Sequence, residues 1–281
     1  MTLPRTEGER WAAEALTTLR EAGFAPAAVA TFLGASLQRA HDTRAAQPEL
    51  RRQSRKWIVA ILLGTLVVRE AAVGRGAPAP SRTAAIGWGC ALALMLDWHL
   101  GMVEGLDGES RGALIGADAL TLTRAALAPM VAAAPPHVTW FSALLLVAAL
   151  TDLLDGQLAR RSQPSRFGRD FDSLADSAFR MAAIRGAHRE RWIDKSAYRA
   201  FIGRQALLAA LATTHWFGRS QRPPEPSPVT RWHVPLMLGG LAVAARGRQR
   251  IGTRVLNAAA LLGSIDQVWS VAGFRRPRGP G

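Results

Sequence analysis

The chain has 281 residues, with 35 Lys or Arg against 21 Asp or Glu and a formal net charge of +14 at pH 7. Hydrophobic residues make up 49 %, too many for a disordered chain, and the single cysteine, Cys90, excludes a disulfide framework or a multi-thiolate metal site. A mean hydropathy of +0.06 beside a pI near 11.6 leaves a nucleic-acid binder or an arginine-laced membrane protein.

The arrangement of the charge separates these two. Lys56 and Lys195 are the only lysines, and arginines bracket apolar Ala- and Leu-rich runs instead of mixing into them. A nucleic-acid surface intersperses cations with aromatic or groove-entering elements, so that class is set aside. Runs apolar on all sides and bounded by charge are what a bilayer demands of a crossing helix. The expected fold is all-α: a polytopic transmembrane helical bundle.

In chain order, residues 1–56 read as a cytoplasmic amphipathic helical region. Trp11, Leu16, Leu19 and Phe24, then Val29, Phe32, Leu33 and Leu37, recur at helical spacing, and Gly23 and Pro26 divide them into two helices. The start, MTLPRTEGERW, has no apolar core and does not read as a signal peptide. Arg51, Arg52, Arg55 and Lys56 precede an apolar run at 57–73, a cytoplasmic signature, although that run is short for a crossing of about 20 residues. A return run at 84–103 makes 57–111 a transmembrane hairpin. Asp97 and His99, near its end, read as interface residues that water reaches. Six further segments follow, at 113–134, 138–160, 168–188, 197–217, 231–246 and 253–273. The third carries Asp172, Asp176, Arg180 and Arg185, tolerable only in a helix lining a polar cavity.

The chemistry lies in two of these segments. Asp152 and Asp155 are three apart and share a helix face, which Gly156 and Ala159 continue, with Arg160 following. Gly168, Asp172 and Asp176 are spaced by four and stack along one side of the next helix. Four carboxylates can thus converge between two helices. Like charges so packed raise one another's pKa, and divalent cations resolve the conflict. Oxygen-only donors favour Mg²⁺ or Mn²⁺ over zinc, and a two-ion site suits phosphoryl-type transfer.

These residues resemble the CDP-alcohol phosphotransferase (phosphatidyltransferase) family. Its pattern of two aspartates, Gly, Ala-Arg, a loop and then Gly-x3-Asp-x3-Asp is matched at Asp152, Asp155, Gly156, Ala159, Arg160, Gly168, Asp172 and Asp176. The loop 161–167 is one residue shorter than the family's usual eight or so. Upstream, Asp118-Ala-Leu120-Thr121-Leu-Thr-Arg124 resembles the opening of the family's first core helix, with Asp118 in place of Asn.

The resemblance implies a six-helix catalytic core over 112–275, followed by a basic tail at 276–281. It implies transfer of a substituted phosphate from a CDP-alcohol, with CDP-diacylglycerol the expected donor, to an acceptor alcohol with release of CMP. It assigns metal binding to Asp152, Asp155, Asp172 and Asp176, general-base catalysis to Asp176, and the CDP site to Gly156, Ala159, Arg160 and Gly168. A phosphorylated acceptor needs further cations, for which Arg124, Arg166, Arg180 and Arg204 are candidates, against their use on lipid headgroups or in surface ion pairs. It also implies a homodimer, and an integral protein of a bacterial plasma membrane with its site facing the cytoplasm. A prenyltransferase would want a second Asp-rich motif, but only Asp194 and Asp266 follow Asp176. A non-catalytic membrane scaffold carrying a degenerate motif is the remaining alternative.

Overall fold

Thr6 opens the first helix through a reciprocal cap: its hydroxyl accepts from Glu9 N and the Glu9 carboxylate accepts from Thr6 N, each at 3.1 Å. In this computed structural model, which describes residues 6–105, 112–161, 165–217 and 230–273, α1 spans Glu7–Glu21 and α2 spans Pro26–Ala46. The break expected at Gly23 and Pro26 is present, with Gly23 and Phe24 at φ values of 60° and 57° that turn the chain out of the helix. Trp11 of α1 stacks on Phe32 of α2, and Arg39 lies over the Trp11 ring.

α3 spans Pro48–Gly74, 27 residues or roughly 40 Å at 1.5 Å per residue. The expectation of a short segment beginning at 57 is thereby corrected. Arg51, Arg52, Arg55 and Lys56 belong to the helix itself, because arginine and lysine are good helix formers and Pro48 sits where the first turn needs no N–H. α3 is long and apolar enough to cross a membrane, and only 17 % of its most apolar stretch is buried. Val59, Leu63 and Val67 point outward.

α4, Arg82–Trp98, returns alongside α3 and ends in a short 3₁₀ turn at Leu100–Met102. Gly89 permits this approach, since a Cβ there would lie 2.7 Å from Leu62 Cδ2. Asp97 is ion-paired with Arg44, and His99 Nδ1 lies 2.7 Å from Met95 O, so both of these polar residues have partners within the protein.

The segment expected as one helix over 113–134 is broken. α5 spans Gly116–Ala126 and α6 spans Ala128–Ala133, with Pro129 in the first turn of α6. Proline has no N–H to give the carbonyl four residues earlier. That carbonyl, Ala125 O, accepts instead from Trp88 Nε1 of α4 at 2.8 Å.

α7 spans Val138–Arg161 and α8 spans Arg166–Arg189. Val138–Asp155 is the second stretch long and apolar enough to cross a membrane. Leu146, Leu150, Leu153 and Leu154 are exposed on it. The chain divides into two compact units, Met1–Ala182 and Ala183–Gly281, the division falling within α8. The first unit closes around Leu50, Leu92, Leu96, Leu100, Leu122, Phe167 and Phe171, which brings the start of α8 into one core with α3, α4 and α5. In the second unit α9 (Lys195–Phe217) and α10 (Thr230–Ala245) both pack on α11 (Gln249–Gly273). Small residues let α10 and α11 approach closely: a Cβ on Gly252 would meet Gly240 O at 2.8 Å. Among the described residues there is no β-strand, only an isolated bridge between Gly105 and Ser165. The basic tail 276–281 lies outside the described residues.

Candidate functional site

Helical spacing puts Asp152 and Asp155 on one face of α7, and Asp172 and Asp176 on one face of α8. In the first compact unit these faces meet at a fifth residue, Arg124 of α5, which is 2 % exposed. Its Nη1 lies 3.3 Å from Asp152 Oδ1, and its Nη2 donates to Asp155 Oδ2 at 2.8 Å and also to Asp172 Oδ1. Nε lies 2.7 Å from Asp176 Oδ1. One guanidinium therefore touches all four carboxylates. Arg180, one turn beyond Asp176, donates to Asp176 Oδ2 at 2.8 Å.

The carboxylates are not equally enclosed. Asp155 and Asp176 are 12 % and 20 % exposed, whereas Asp152 and Asp172 are 51 % and 40 % exposed. The cluster is thus buried on the Arg124 side and open on the other, as a site that admits a ligand must be.

Asp152, Asp172 and Asp176 each present an oxygen within 4.8 Å of the others, close enough to hold one metal ion. Two guanidiniums face four carboxylates, leaving a formal charge of −2 on the cluster. All-oxygen donors with that residual charge fit a hard divalent cation, and the residues present are compatible with Mg²⁺ or Mn²⁺.

The start of α8 is held by groups the motif does not contain. Asp118, 1 % exposed, accepts from Ile115 N at 2.8 Å through one oxygen and from Ser165 Oγ at 3.1 Å through the other. Ser165 Oγ in turn accepts from Gly168 N at 2.8 Å. A Cβ on Gly168 would fall 2.6 Å from Asp118 Oδ1, so glycine is required here by a protein carboxylate. Arg166 is 4 % exposed, and its Nη1 donates to Glu104 Oε1 at 3.0 Å. Glu104 Oε1 also accepts from Thr6 Oγ1 at 2.6 Å. Arg169 donates to Glu9 Oε1 at 3.1 Å. Burial pushes the Glu9 carboxyl up, but hydrogen bonds from Arg169 and from Thr6 N outweigh it and hold the carboxyl below its ordinary value.

Of the residues singled out from sequence, Asp152, Asp155, Asp172, Asp176, Arg124 and Arg180 come together. Gly168 sits one turn before Asp172, against Asp118. Arg166 pairs with Glu104, and its Nε lies 3.8 Å from Asp170 Oδ2, so its ion pairs are outside the cluster of four aspartates. Gly156, Ala159 and Arg160 lie on α7 beyond Asp155, but their side-chain surroundings are outside the described residues. Arg204 belongs to α9 in the second unit, where its Nη2 lies 3.3 Å from His233 Nε2. Sequence reasoning did not single out Glu104, Ser165 or Thr6. Only Thr6 carried a readable signal, the Thr-x-x-Glu cap.

Residues 114–262 match the family CDP-alcohol phosphatidyltransferase. No curated protein and no solved structure matches the chain.

Proposed function

Because the chain belongs to the CDP-alcohol phosphatidyltransferase family, a family of transferases in phospholipid synthesis, we propose that it moves a phosphatidyl group from CDP-diacylglycerol to an acceptor alcohol and releases CMP. The observation that supports this reading best is the meeting of four aspartates from α7 and α8 at one point inside the matched segment. When bound at Asp152, Asp155, Asp172 and Asp176, two Mg²⁺ or Mn²⁺ ions would neutralise the donor diphosphate and the charge that builds on the leaving CMP.

The chain's own residues do the rest. Arg124 braces all four carboxylates through one oxygen each, and Arg180 holds the second oxygen of Asp176. Gly156, Ala159, Arg160 and Gly168 form the CDP site in this reading, with small residues beside the cytidine and Arg160 on a phosphate. The acceptor oxygen attacks the phosphorus that carries the lipid, the P–O bond to CMP breaks, and the acceptor proton passes to Asp176. Arg180, which donates to Asp176 Oδ2 at 2.8 Å, is the arginine this reading assigns to a phosphorylated acceptor. A membrane position is supported by α3 and α7, whose outward-facing leucines and valines would be an aggregation liability in water. The site faces the cytoplasm of a bacterial cell in this reading, and the protein works as a homodimer.

The test is incubation of the purified protein with CDP-diacylglycerol, Mg²⁺ or Mn²⁺ and a panel of acceptor alcohols, with lipid products read by mass spectrometry. Asp176→Asn is expected to lower CMP release by two to four orders of magnitude, on the order of a general base's contribution. Unchanged CMP release by Asp176→Asn and Asp155→Ala would overturn the assignment and favour a scaffold.

A further inference from the structure

A second basic site lies in the first compact unit, outside the segment matched to the family and sharing no residue with the aspartate cluster. It is a cavity of about 250 Å³ lined by His41, Arg44 and Ala45 of α2, Arg51 and Arg55 of α3, and Asp97 of α4. Three guanidiniums face one carboxylate, so the lining carries a formal charge of +2 before His41 is counted. Arg51 and Arg55 are four apart and share one face of α3. Arg44 is paired with Asp97, which places a carboxylate of the protein where an anion would sit.

Its depth is set by the helix that carries it. The outward-facing apolar run of α3 begins just after Trp57, and Arg55 and Arg51 precede Trp57 by roughly 3 and 9 Å of helix rise. A headgroup layer is roughly 5–8 Å thick on each side of the hydrocarbon. Trp98, next to Asp97 at the end of α4, donates to Ser36 Oγ of α2 at 2.8 Å, so a second tryptophan lies at the end of α4 that supplies Asp97. Tryptophans collect at the boundary between hydrocarbon and water.

We propose that this cavity binds a phosphate group, with the forked donors of Arg51 and Arg55 on its oxygens and Arg44 shared between it and Asp97. The placement rests on α3 crossing the membrane and is independent of the transferase reading. Either proposal can fail without the other.

The experiment uses the full chain in nanodiscs. One arm titrates inorganic phosphate in phosphatidylcholine discs; the other replaces phosphatidylcholine stepwise by phosphatidylglycerol. Both are read as the shift in thermal midpoint and, by native mass spectrometry, as retained phosphate or lipid. Arg51→Gln with Arg55→Gln should weaken apparent affinity about thirtyfold, since each arginine near an anionic surface is worth about fivefold. Asp97→Asn should strengthen it about fivefold, because the internal competitor for Arg44 is gone, and a merely structural ion pair would not produce that gain. Arginine-dependent binding in the phosphatidylglycerol arm alone identifies a lipid headgroup. The same dependence in the phosphate arm identifies a site for free phosphate. Equal binding by wild type and the double variant in both arms overturns the proposal, as does an Asp97→Asn variant that binds no more tightly than wild type.

Discussion

Arg124→Gln is the substitution that most directly probes how the aspartate cluster is held together. The side chain is 2 % exposed and its guanidinium reaches four carboxylates. Two of these, Asp155 at 2.8 Å and Asp176 at 2.7 Å, are well enclosed. The contacts to Asp152 and Asp172 are half-open to solvent and are worth at most about 1 kcal/mol each. Removing one partner of a buried ionic cluster costs about 3–5 kcal/mol, because enclosed Asp155 loses its counter-charge and Asp176 keeps Arg180 alone. That corresponds to a fall in Tm on the order of 10 °C for a chain of this size. The loss should depend on metal. A divalent cation that binds the folded protein stabilises it by about 2.7 kcal/mol at a hundred times its Kd, and a cluster one charge more negative binds it more tightly. Thermal unfolding in detergent, with EDTA and then with saturating Mg²⁺, should show Mg²⁺ raising the midpoint of Arg124→Gln by more than that of wild type. Arg124→Lys, which keeps the charge but not the fork, should fall between the two. A midpoint for Arg124→Gln in EDTA equal to that of wild type would refute the claim that Arg124 is the electrostatic centre of the cluster. Equal Mg²⁺ shifts in both proteins would refute the shared occupancy of carboxylates by arginine and cation.

The remaining expectations concern the mounting of α8. Gly168→Ala places a methyl 2.6 Å from Asp118 Oδ1 and should cost about 1–3 kcal/mol in thermal unfolding; the double variant with Asp118→Ala should cost less than the two singles summed. Glu104→Gln removes the nearer of the two carboxylates at Arg166, leaving Asp170 Oδ2 at 3.8 Å from its Nε, and should cost about 1–3 kcal/mol, with faster hydrogen exchange at the start of α8. A rate there matching wild type would mean that the Glu104 contact does not hold the helix. Hydrogen bonding to Arg39 lowers the Glu7 carboxyl below its ordinary value of 4.5, and Glu9 is lowered as well despite its burial. For a depressed carboxylate the stabilisation is complete above that ordinary value and is lost as pH falls through the lower folded value. Exchange in residues 7–21, corrected for intrinsic rates, should therefore be constant above pH 4.5 and rise below it, and Glu9→Gln should flatten the dependence.

What could be read from the chain alone divides along a physical line. Spacing within one helix is a property of one backbone, so the shared faces of Asp152 with Asp155 and of Asp172 with Asp176 were legible, as was the turn at Gly23 and Pro26. Helix ends were less so. Arg51, Arg55 and Lys56 mark where hydropathy changes, but a helix does not stop where its side chains become charged, and α3 runs on to Pro48. At Pro129 the missing donor was visible, yet its consequence depended on Trp88, a residue of another helix, taking up the freed carbonyl of Ala125. Arg124 is the sharpest case. On its own helix it has no acidic neighbour at i+3 or i+4, so it reads as a cation waiting for a substrate. Its four partners come from α7 and α8, and only the packing of three helices turns it into the counter-charge of the cluster. The same holds for Asp118: as a first-turn acid it reads as a simple cap, while in the fold its second oxygen takes Ser165 and crowds Gly168. The residues that carry chemistry are thus announced by intrahelical period, whereas those that aim them are chosen by contacts between helices. A variant that keeps all four aspartates but loses Arg124 or Asp118 would preserve the motif and lose its geometry.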